Sequence, residues 1–126
     1  MVTLVSRSKE RAEQTCDAIR ERTPSGKLIG AGAASEEDSV ALCARQQLVI
    51  AAGAAGVCFL PAGALSTLKS LAVAIDLNAV PPVGIADVGV TDKAAEHDGT
   101  ICYGALGVGG TKMKVHKQAI ASLFEA

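Results

Sequence analysis

The stretch LVIAAG, from Leu48 to Gly53, is the strongest strand signal in the sequence. Its run of apolar residues, two of them β-branched, predicts a strand that is buried on both faces, and the glycine ends it. Strands of this kind occur in parallel sheets that helices cover on both sides. The segments on either side of Leu48–Gly53 therefore decide the fold class.

Helical and strand-like segments alternate outward from this strand. On its amino-terminal side, Ser35 with Asp38 resembles a capping box and predicts a helix to about Arg45. On its carboxyl-terminal side, Pro61 suits the first turn of a helix that runs to about Lys69. The other predicted elements are a strand at Val2–Val5, a helix from Lys9 to about Arg22, a weak strand at Lys27–Ala31, a strand at Leu71–Ile75, an irregular loop at Leu77–Ile85 and a helix from near Gly109 to Phe124. This order predicts βαβ units, and hence an α/β fold with a mostly parallel sheet and flanking helices.

The composition fits one domain with an aliphatic core. The chain has 126 residues, of which 49% are apolar but only 2% are aromatic, so valine, isoleucine, leucine and alanine must fill the interior. The formal net charge of −1 gives no overall attraction to nucleic acid or to an anionic membrane, and neither is expected as a partner. The longest apolar stretch, Leu48–Leu65, is interrupted by glycines and a proline, so it does not predict a membrane span.

The four cysteines predict neither a metal site nor a redox motif. None of them forms a C-x-x-C pair, so no metal is expected. Three lie in apolar surroundings that are typical of core positions. Reduced thiols of this kind indicate a cytoplasmic protein.

The residues after the first strand carry one candidate site. In parallel α/β sheets, ligands bind outside the carboxyl ends of the strands. Ser6, Arg7, Ser8 and Lys9 follow the strand at Val2–Val5. In a dinucleotide-binding fold, an arginine there accommodates the 2′-phosphate of NADP, whereas an acid accepts from the ribose of NAD. The same residues also fit a simple helix cap at Ser8 with solvated charges, and both interpretations stay open.

The next two strand ends carry smaller signals. Ala52, Gly53 and Ala54 follow the strand that begins at Leu48, where small residues permit a flat ring or a ribose to come close, although a plain turn explains them equally well. Asp76 and Asn78 follow the third strong strand and precede a proline-stiffened loop. Asp76 indicates either a binding site or a cap for the turn.

The glycine-rich segment Gly104–Lys117 carries the last signal. A helix that begins near Gly109 puts Lys112 in its first turn, where the positive end of the helix dipole disfavours a cation unless an anionic or polar ligand is near. His116 interrupts an apolar stripe of this helix, so a core histidine is predicted there. The glycines do not match a phosphate-binding loop, because the lysine and threonine stand in the wrong order.

Several of these stretches together resemble a known family. VTLVSRSKERA, LVIAAGAAGVCFLP, AIDLNAVPPVGI and YGALGVGGTKMKVHKQAIASLF resemble the methylene-tetrahydromethanopterin dehydrogenases of methylotrophic bacteria. The likeness covers essentially the whole chain. Its most specific parts are D-x-N-A-x-P-P-x-G-I at Asp76–Ile85 and G-A-x-G-x-G-G-x-K-x-K-x-H at Gly104–His116.

The resemblance implies a fold, a reaction and a set of roles. The cofactor domain of this family is Rossmann-like, and its members transfer hydride between the methylene group of a reduced pterin and the nicotinamide of NADP, or of NAD in some members. The family's full-length proteins are homo-oligomers. The roles implied for this chain are a 2′-phosphate site at Ser6, Arg7 and Ser8, a cofactor cleft lined by Ala52–Ala54 and Asp76–Asn78, and a catalytic lysine at the pterin, Lys112.

The chain differs from the family's pattern at its start. Family members carry a substrate domain and a first Rossmann strand with a glycine-rich turn ahead of the segment that Met1 opens. The expectation is therefore a partial NAD(P)-binding Rossmann-like domain over residues 1–126, the C-terminal part of an oxidoreductase that is inactive by itself. The NADP-binding portion of another dehydrogenase, such as one similar to shikimate dehydrogenase, and a non-catalytic remnant are the alternatives. NADP against NAD, and tetrahydromethanopterin against tetrahydrofolate, stay open.

Overall fold

The computed structural model describes residues 1–125 and has an α/β architecture. The strands are β1 (Val2–Ser6), β2 (Leu28–Gly32), β3 (Leu48–Ala51), β4 (Val73–Asp76), β5 (Lys93–His97) and β6 (Thr100–Tyr103). The helices are α1 (Lys9–Arg22), α2 (Glu36–Cys43), α3 (Ala64–Thr67) and α4 (Ala105–Glu125). The chain divides into two compact units, the first at Met1–Leu42 and the second from Cys43 onward.

The first unit contains a parallel pair of strands joined by a helix. β1 and β2 pair in parallel, and α1 connects them, as the sequence predicts. Gly30 and Gly32 let the helix approach closely, because a Cβ at either position would lie 2.8 Å from a backbone nitrogen of α1. Ala12 and Cys16 are fully buried in this contact region. The start of α1 is thereby fixed beside the end of β1.

The predicted capping box before α2 is confirmed. The backbone N–H of Asp38 donates to Ser35 Oγ at 3.1 Å, and the N–H of Ser35 donates to Asp38 Oδ2 at 3.2 Å. Because each side chain satisfies the backbone of the other, aspartate performs here the role that glutamate usually has.

The second unit contains a four-stranded sheet in the order β3-β4-β6-β5. β3, β4 and β6 run parallel, and β5 is antiparallel to β6. One surface of the sheet, the covered face, is buried at Val49, Ala51, Ala74, Asp76 and Cys102. The other, the open face, consists of Leu48, Ile50, Val73, Ile75, Ile101 and Tyr103, all exposed or half-buried.

Aliphatic side chains and one buried hydrogen bond hold the covered face in place. Leu60, Leu65 and Ile85 are among the largest fully buried side chains, and the Thr100 hydroxyl donates to the carbonyl of Leu71 at 3.2 Å. The expected helix at Pro61–Lys69 is shorter than predicted, since only α3 is α-helical, and β4 begins two residues later than predicted.

Strand β3 is less buried than its sequence predicts. Leu48 and Ile50 are 51% and 52% exposed, although an apolar run of this kind is typical of strands that are covered on both faces. β3 is an edge strand of its sheet, and its outward residues belong to the open face. The prediction of a parallel strand is confirmed, and the prediction of burial on both faces is wrong.

The hairpin β5–β6 is not among the elements that the apolar patterns predict. Asp98 and Gly99 connect the two strands with φ of 52° and 84°. An Asp-Gly pair with both φ values positive is the usual two-residue hairpin turn, so this signal was available in the sequence.

The observed α/β arrangement is consistent with the predicted incomplete Rossmann-like fold. None of the helices among residues 1–125 has both the length and the apolar character needed to cross a bilayer.

Candidate functional site

The end of β1 leads directly into the capped start of α1. Ser8 is the N-cap residue, and its Oγ accepts from the N–H of Arg11 at 3.2 Å. Arg7 and Lys9 are exposed on either side of it, and Ser6 is half-buried. Within residues 1–125 no salt bridge involves Arg7. The cap and a cationic cluster at the positive end of the helix dipole are therefore present together.

The end of β3 is an open turn of small residues. Ala52, Gly53 and Ala54 are all exposed. A Cβ at Gly53 would meet no heavy atom within 4 Å. Packing therefore does not require glycine here, and the turn leaves room for a ligand to approach the backbone.

The end of β4 is organised around the carboxylate of Asp76, which is 2% exposed. Its Oδ1 accepts from the N–H of Asn78 at 2.9 Å, and its Oδ2 accepts from the N–H of Ile85 at 2.8 Å. Each oxygen thus binds one end of the loop that runs from Asn78 to Ile85. These contacts match the interpretation of Asp76 as a cap for the turn, because its carboxylate faces the loop's own backbone.

Asn78 continues this internal network. Its Oδ1 accepts from the N–H of Val80 at 3.0 Å, and its Nδ2 donates to the carbonyl of Pro82 at 3.4 Å. Gly84 closes the loop, because a Cβ there would lie 2.9 Å from both Ala51 Cβ and Asp76 Oδ1. The loop is consequently a built surface whose shape is set from inside.

The start of α4 differs from the prediction. The helix begins at Ala105, four residues before Gly109, so Lys112 lies beyond the first turn and the helix-dipole argument for it is wrong. The reason is that the glycines do not break the helix. Gly104 and Gly107 face backbone atoms of Gly89, Val90 and Asp92, and a Cβ on either would overlap a backbone carbonyl oxygen.

The distal part of α4 is exposed along its whole length. Every residue from 110 to 125 is exposed, Lys112 included. His116 is therefore not a core histidine, and the prediction of a buried role for it is wrong. The apolar stripe that suggested burial is real as a sequence pattern, but no part of residues 1–125 covers it.

The β5–β6 hairpin contributes polar groups that the sequence interpretation missed. Asp92 Oδ2 accepts from the N–H of Gly89 at 2.7 Å and lies 2.7 Å from His97 Nε2. Burial, followed by the charge of Asp92, raises the pKa of the Cys102 thiol. Tyr103 ends β6 beside Ile75 of β4, one residue before Asp76. Its place in a short apolar run between Gly99 and Gly104 was the signal that would have found it.

Comparison with known proteins gives two relatives in Methylorubrum extorquens. The chain is 34% identical over 125 residues to a protein named Bifunctional protein MdtA, and the aligned region covers 99% of the chain and 43% of that relative. It is 38% identical over 81 residues to a protein named NAD(P)-dependent methylenetetrahydromethanopterin dehydrogenase, and this aligned region covers 63% of the chain and 27% of that relative. The chain thus spans less than half the length of either relative. No family model matches the chain.

Proposed function

We propose that this chain is the NADP-binding part of an oxidoreductase of one-carbon metabolism, which transfers hydride from the methylene group of a reduced pterin to NADP. The observation that carries the proposal is the Ser6–Lys9 turn at the capped start of α1, where Arg7, Ser8 and Lys9 are exposed. One of the two relatives carries the corresponding activity in its name. The nicotinamide would supply the hydride acceptor, with NAD as the alternative cofactor.

Arg7 is the residue proposed to select NADP. A guanidinium presents a planar set of donors that pairs with phosphate through two parallel hydrogen bonds. Arg7 is exposed and follows a parallel strand, which is the place where a dinucleotide-binding fold meets the adenosine ribose. Ser6, Ser8 and Lys9 add hydroxyl and ammonium donors. The Ser8 oxygen accepts in the helix cap while its hydroxyl hydrogen stays available to donate.

Two strand ends of the second unit are proposed to line the cofactor cleft. Ala52, Gly53 and Ala54 leave the backbone open for a ring, and the segment Asp76–Asn78 supplies a rigid edge. Both oxygens of the Asp76 carboxylate accept hydrogen bonds from backbone N–H groups, so the carboxylate keeps the segment in its conformation. What the segment offers to the cofactor is therefore its shape and its backbone groups.

Lys112 is proposed as the lysine that contacts the pterin and assists hydride transfer. This role rests on the resemblance of Gly104–His116 to the family motif, since the helix-dipole argument no longer applies. The test belongs in the full-length relative, where alanine replaces the lysines equivalent to Lys112, Lys114 and Lys117 in turn. The first replacement should lower kcat most, and equal losses would make Lys112 an ordinary solvated lysine.

Location and assembly complete the proposal. The four cysteines without a C-x-x-C pair support a cytoplasmic protein. Homo-oligomeric assembly of the full-length protein is inferred from the family resemblance alone. Neither nucleic acid nor a membrane is proposed as a partner.

The decisive experiment compares cofactor binding by the chain before and after Arg7→Ala. Dissociation constants for NADP and NAD are measured by calorimetry at one ionic strength. Loss of a charge-assisted phosphate contact costs roughly 1.5–3 kcal/mol, so NADP should bind about ten- to a hundredfold more weakly while NAD is unaffected.

Arg22→Ala is the matched control, because Arg22 is an exposed arginine at the other end of α1. It should leave both dissociation constants unchanged. Equal weakening of NADP and NAD by Arg7→Ala would show that Arg7 does not meet a 2′-phosphate.

A further inference from the structure

A row of four residues crosses the second unit's sheet at its carboxyl edge. The strand register places Ile50 beside Ile75, Ile75 beside Tyr103, and Tyr103 beside Lys93. Paired residues on neighbouring strands project to the same side of a sheet. Three of the four belong to the open face, so Lys93 lies on that face as well.

Two features separate this row from its neighbour on the same face. The adjacent row is Leu48, Val73, Ile101 and Glu96, which has aliphatic residues and an acid. The row at the carboxyl edge instead ends in a phenol and an ammonium group, both of which donate hydrogen bonds. It combines an aliphatic and aromatic platform with two donors at one end.

A β-bulge is responsible for the position of Lys93. The register of β5 shifts between Lys93 and Ala95, and the extra residue, Ala94, has a φ of 55°. If the same sequence paired with β6 in a regular register without a bulge, Ala94 would stand opposite Tyr103 and the side chain of Lys93 would project to the covered face. A left-handed conformation is costly for alanine, so the fold maintains a strained residue that places Lys93 next to Tyr103.

The hydroxyl of Tyr103 is available to a ligand. Within residues 1–125 no hydrogen bond involves Tyr103 Oη, although the side chain is half-buried. Tyr103 also adjoins the segments already proposed as the cofactor site, because Ile75, its partner on β4, immediately precedes Asp76. Gly104, the next residue, has no room for a side chain, because the end of β6 lies against the Gly89–Val90 backbone.

We propose that Tyr103 and Lys93 bind the carbonyl edge of the pterin ring, with Ile50 and Ile75 as part of the apolar platform under it. The inference rests on the proposed function and names the residues that would hold its substrate. A pterin is a flat ring whose pyrimidinone carbonyl accepts hydrogen bonds, which matches a platform with two donors at one end. Edge-strand protection alone explains a lysine and a bulge on β5, and the experiment separates the two explanations.

The test uses the 126-residue chain and two probes, 6,7-dimethylpterin for the ring site and 2′,5′-ADP for the Arg7 site. The pterin carries no charge, so attraction of an anion to Lys93 cannot produce a false result. Dissociation constants are measured for Tyr103→Phe, Tyr103→Leu and Lys93→Gln. Lys69→Gln is the matched control, because Lys69 is an exposed lysine outside the sheet. Circular dichroism and thermal unfolding check that each variant is folded.

Tyr103→Phe retains the ring and loses one neutral donor, so dimethylpterin should bind about two- to tenfold more weakly. Lys93→Gln should weaken it by about tenfold, and Tyr103→Leu should weaken it more than Tyr103→Phe because the aromatic surface is lost too. Affinity for 2′,5′-ADP should stay within about twofold in every variant, and Lys69→Gln should change neither probe.

Each other outcome overturns the inference, and the outcomes differ in what else they overturn. Unchanged dimethylpterin affinity in folded Tyr103→Phe and Lys93→Gln would reduce the pair to edge protection. Binding of 2′,5′-ADP without dimethylpterin by the unaltered chain would remove the ring site while the Arg7 site stands. Binding of neither probe would overturn the proposed function together with this inference.

Discussion

The ends of β1 and β4 occupy equivalent places, each at the carboxyl end of a parallel strand, yet they are built in opposite ways. After β1, the charged side chains of Arg7 and Lys9 are exposed, and a single cap bond from Ser8 organises the turn. After β4, the carboxylate of Asp76 is buried and accepts two backbone N–H groups of its own loop.

A charged residue at a strand end is therefore not by itself evidence of a ligand contact. The side chains after β1 can bind an anion directly, because no internal bond would be broken. A ligand at the end of β4 would meet a surface whose polar side chains already have partners, so backbone groups and shape are what that loop offers. Substitutions should therefore affect binding at the first end and stability at the second.

The largest expected effect is that of Asp76→Ala. The buried N–H of Ile85 and the half-buried N–H of Asn78 lose their acceptor. A buried unsatisfied donor costs about 1–3 kcal/mol and a half-buried one costs less, so the free energy of unfolding should fall by roughly 2–4 kcal/mol. Amide hydrogen exchange at Asn78 and Ile85 should accelerate most. Glu96→Ala, which removes an exposed acid from the same sheet, should change stability by less than about 0.5 kcal/mol. Similar effects of the two substitutions would mean that Asp76 is not an internal anchor.

Gly84→Ala should have the next largest effect. The added Cβ would lie 2.9 Å from Ala51 Cβ and from Asp76 Oδ1, and relieving such a contact costs about 1–3 kcal/mol. The control is Gly53→Ala, where a Cβ meets nothing within 4 Å and stability should hold or rise slightly. Chemical denaturation of both variants gives the comparison. A loop that accepts the methyl group at Gly84 without loss would be looser than its hydrogen bonds indicate.

At the end of β1 the expected effects on stability are smaller and divide between two neighbours. Ser8→Ala removes the cap of α1 and should cost about 1 kcal/mol. Arg7→Ala should change the free energy of unfolding by less than about 0.5 kcal/mol, since its side chain is exposed. Thermal unfolding of the two variants measures the difference. If Arg7→Ala destabilised the chain as much as Ser8→Ala, Arg7 would have a structural role that competes with phosphate binding.

The last effect is absent near neutral pH, because it concerns how stability changes with pH in alkaline solution. Burial raises the pKa of the Cys43 thiol from 9.0 to about 11, because the buried site disfavours the thiolate. The unfolded chain then loses this proton at lower pH than the folded chain, so the contribution of Cys43 is fully present below pH 9 and is lost as the pH rises towards 11. In Cys43→Ala, the free energy of unfolding should therefore fall less steeply with pH across this range. An unchanged alkaline slope would assign the loss of stability to other groups.

Local patterns predicted the elements that local chemistry controls. The limits of α1 and the reciprocal cap between Ser35 and Asp38 follow from residues close in the sequence. The parallel strands β1, β3 and β4 follow from apolar runs bounded by turn residues. The Asp-Gly turn at Asp98 and Gly99 carries the same kind of local signal for the β5–β6 hairpin.

The errors concern residues whose environment depends on distant parts of the chain. The apolar stripe around His116 predicts burial, but burial needs a surface opposite it, and none exists among residues 1–125. The start of α4 was misplaced because Gly104 and Gly107 fit against the backbone near Gly89 and Asp92, and the propensity of glycine contains no information on that contact.

The α/β class, the parallel strands and the basic turn that begins at Ser6 follow from the sequence alone, because periodicity and capping act over a few residues. The inward direction of Asp76 and the position of Lys93 beside Tyr103 depend on contacts between distant segments. The first depends on a loop that returns to β4 nine residues later, and the second on a one-residue bulge that changes the face of a side chain. A side chain's direction follows from strand register, and register is set by pairing between segments rather than within them.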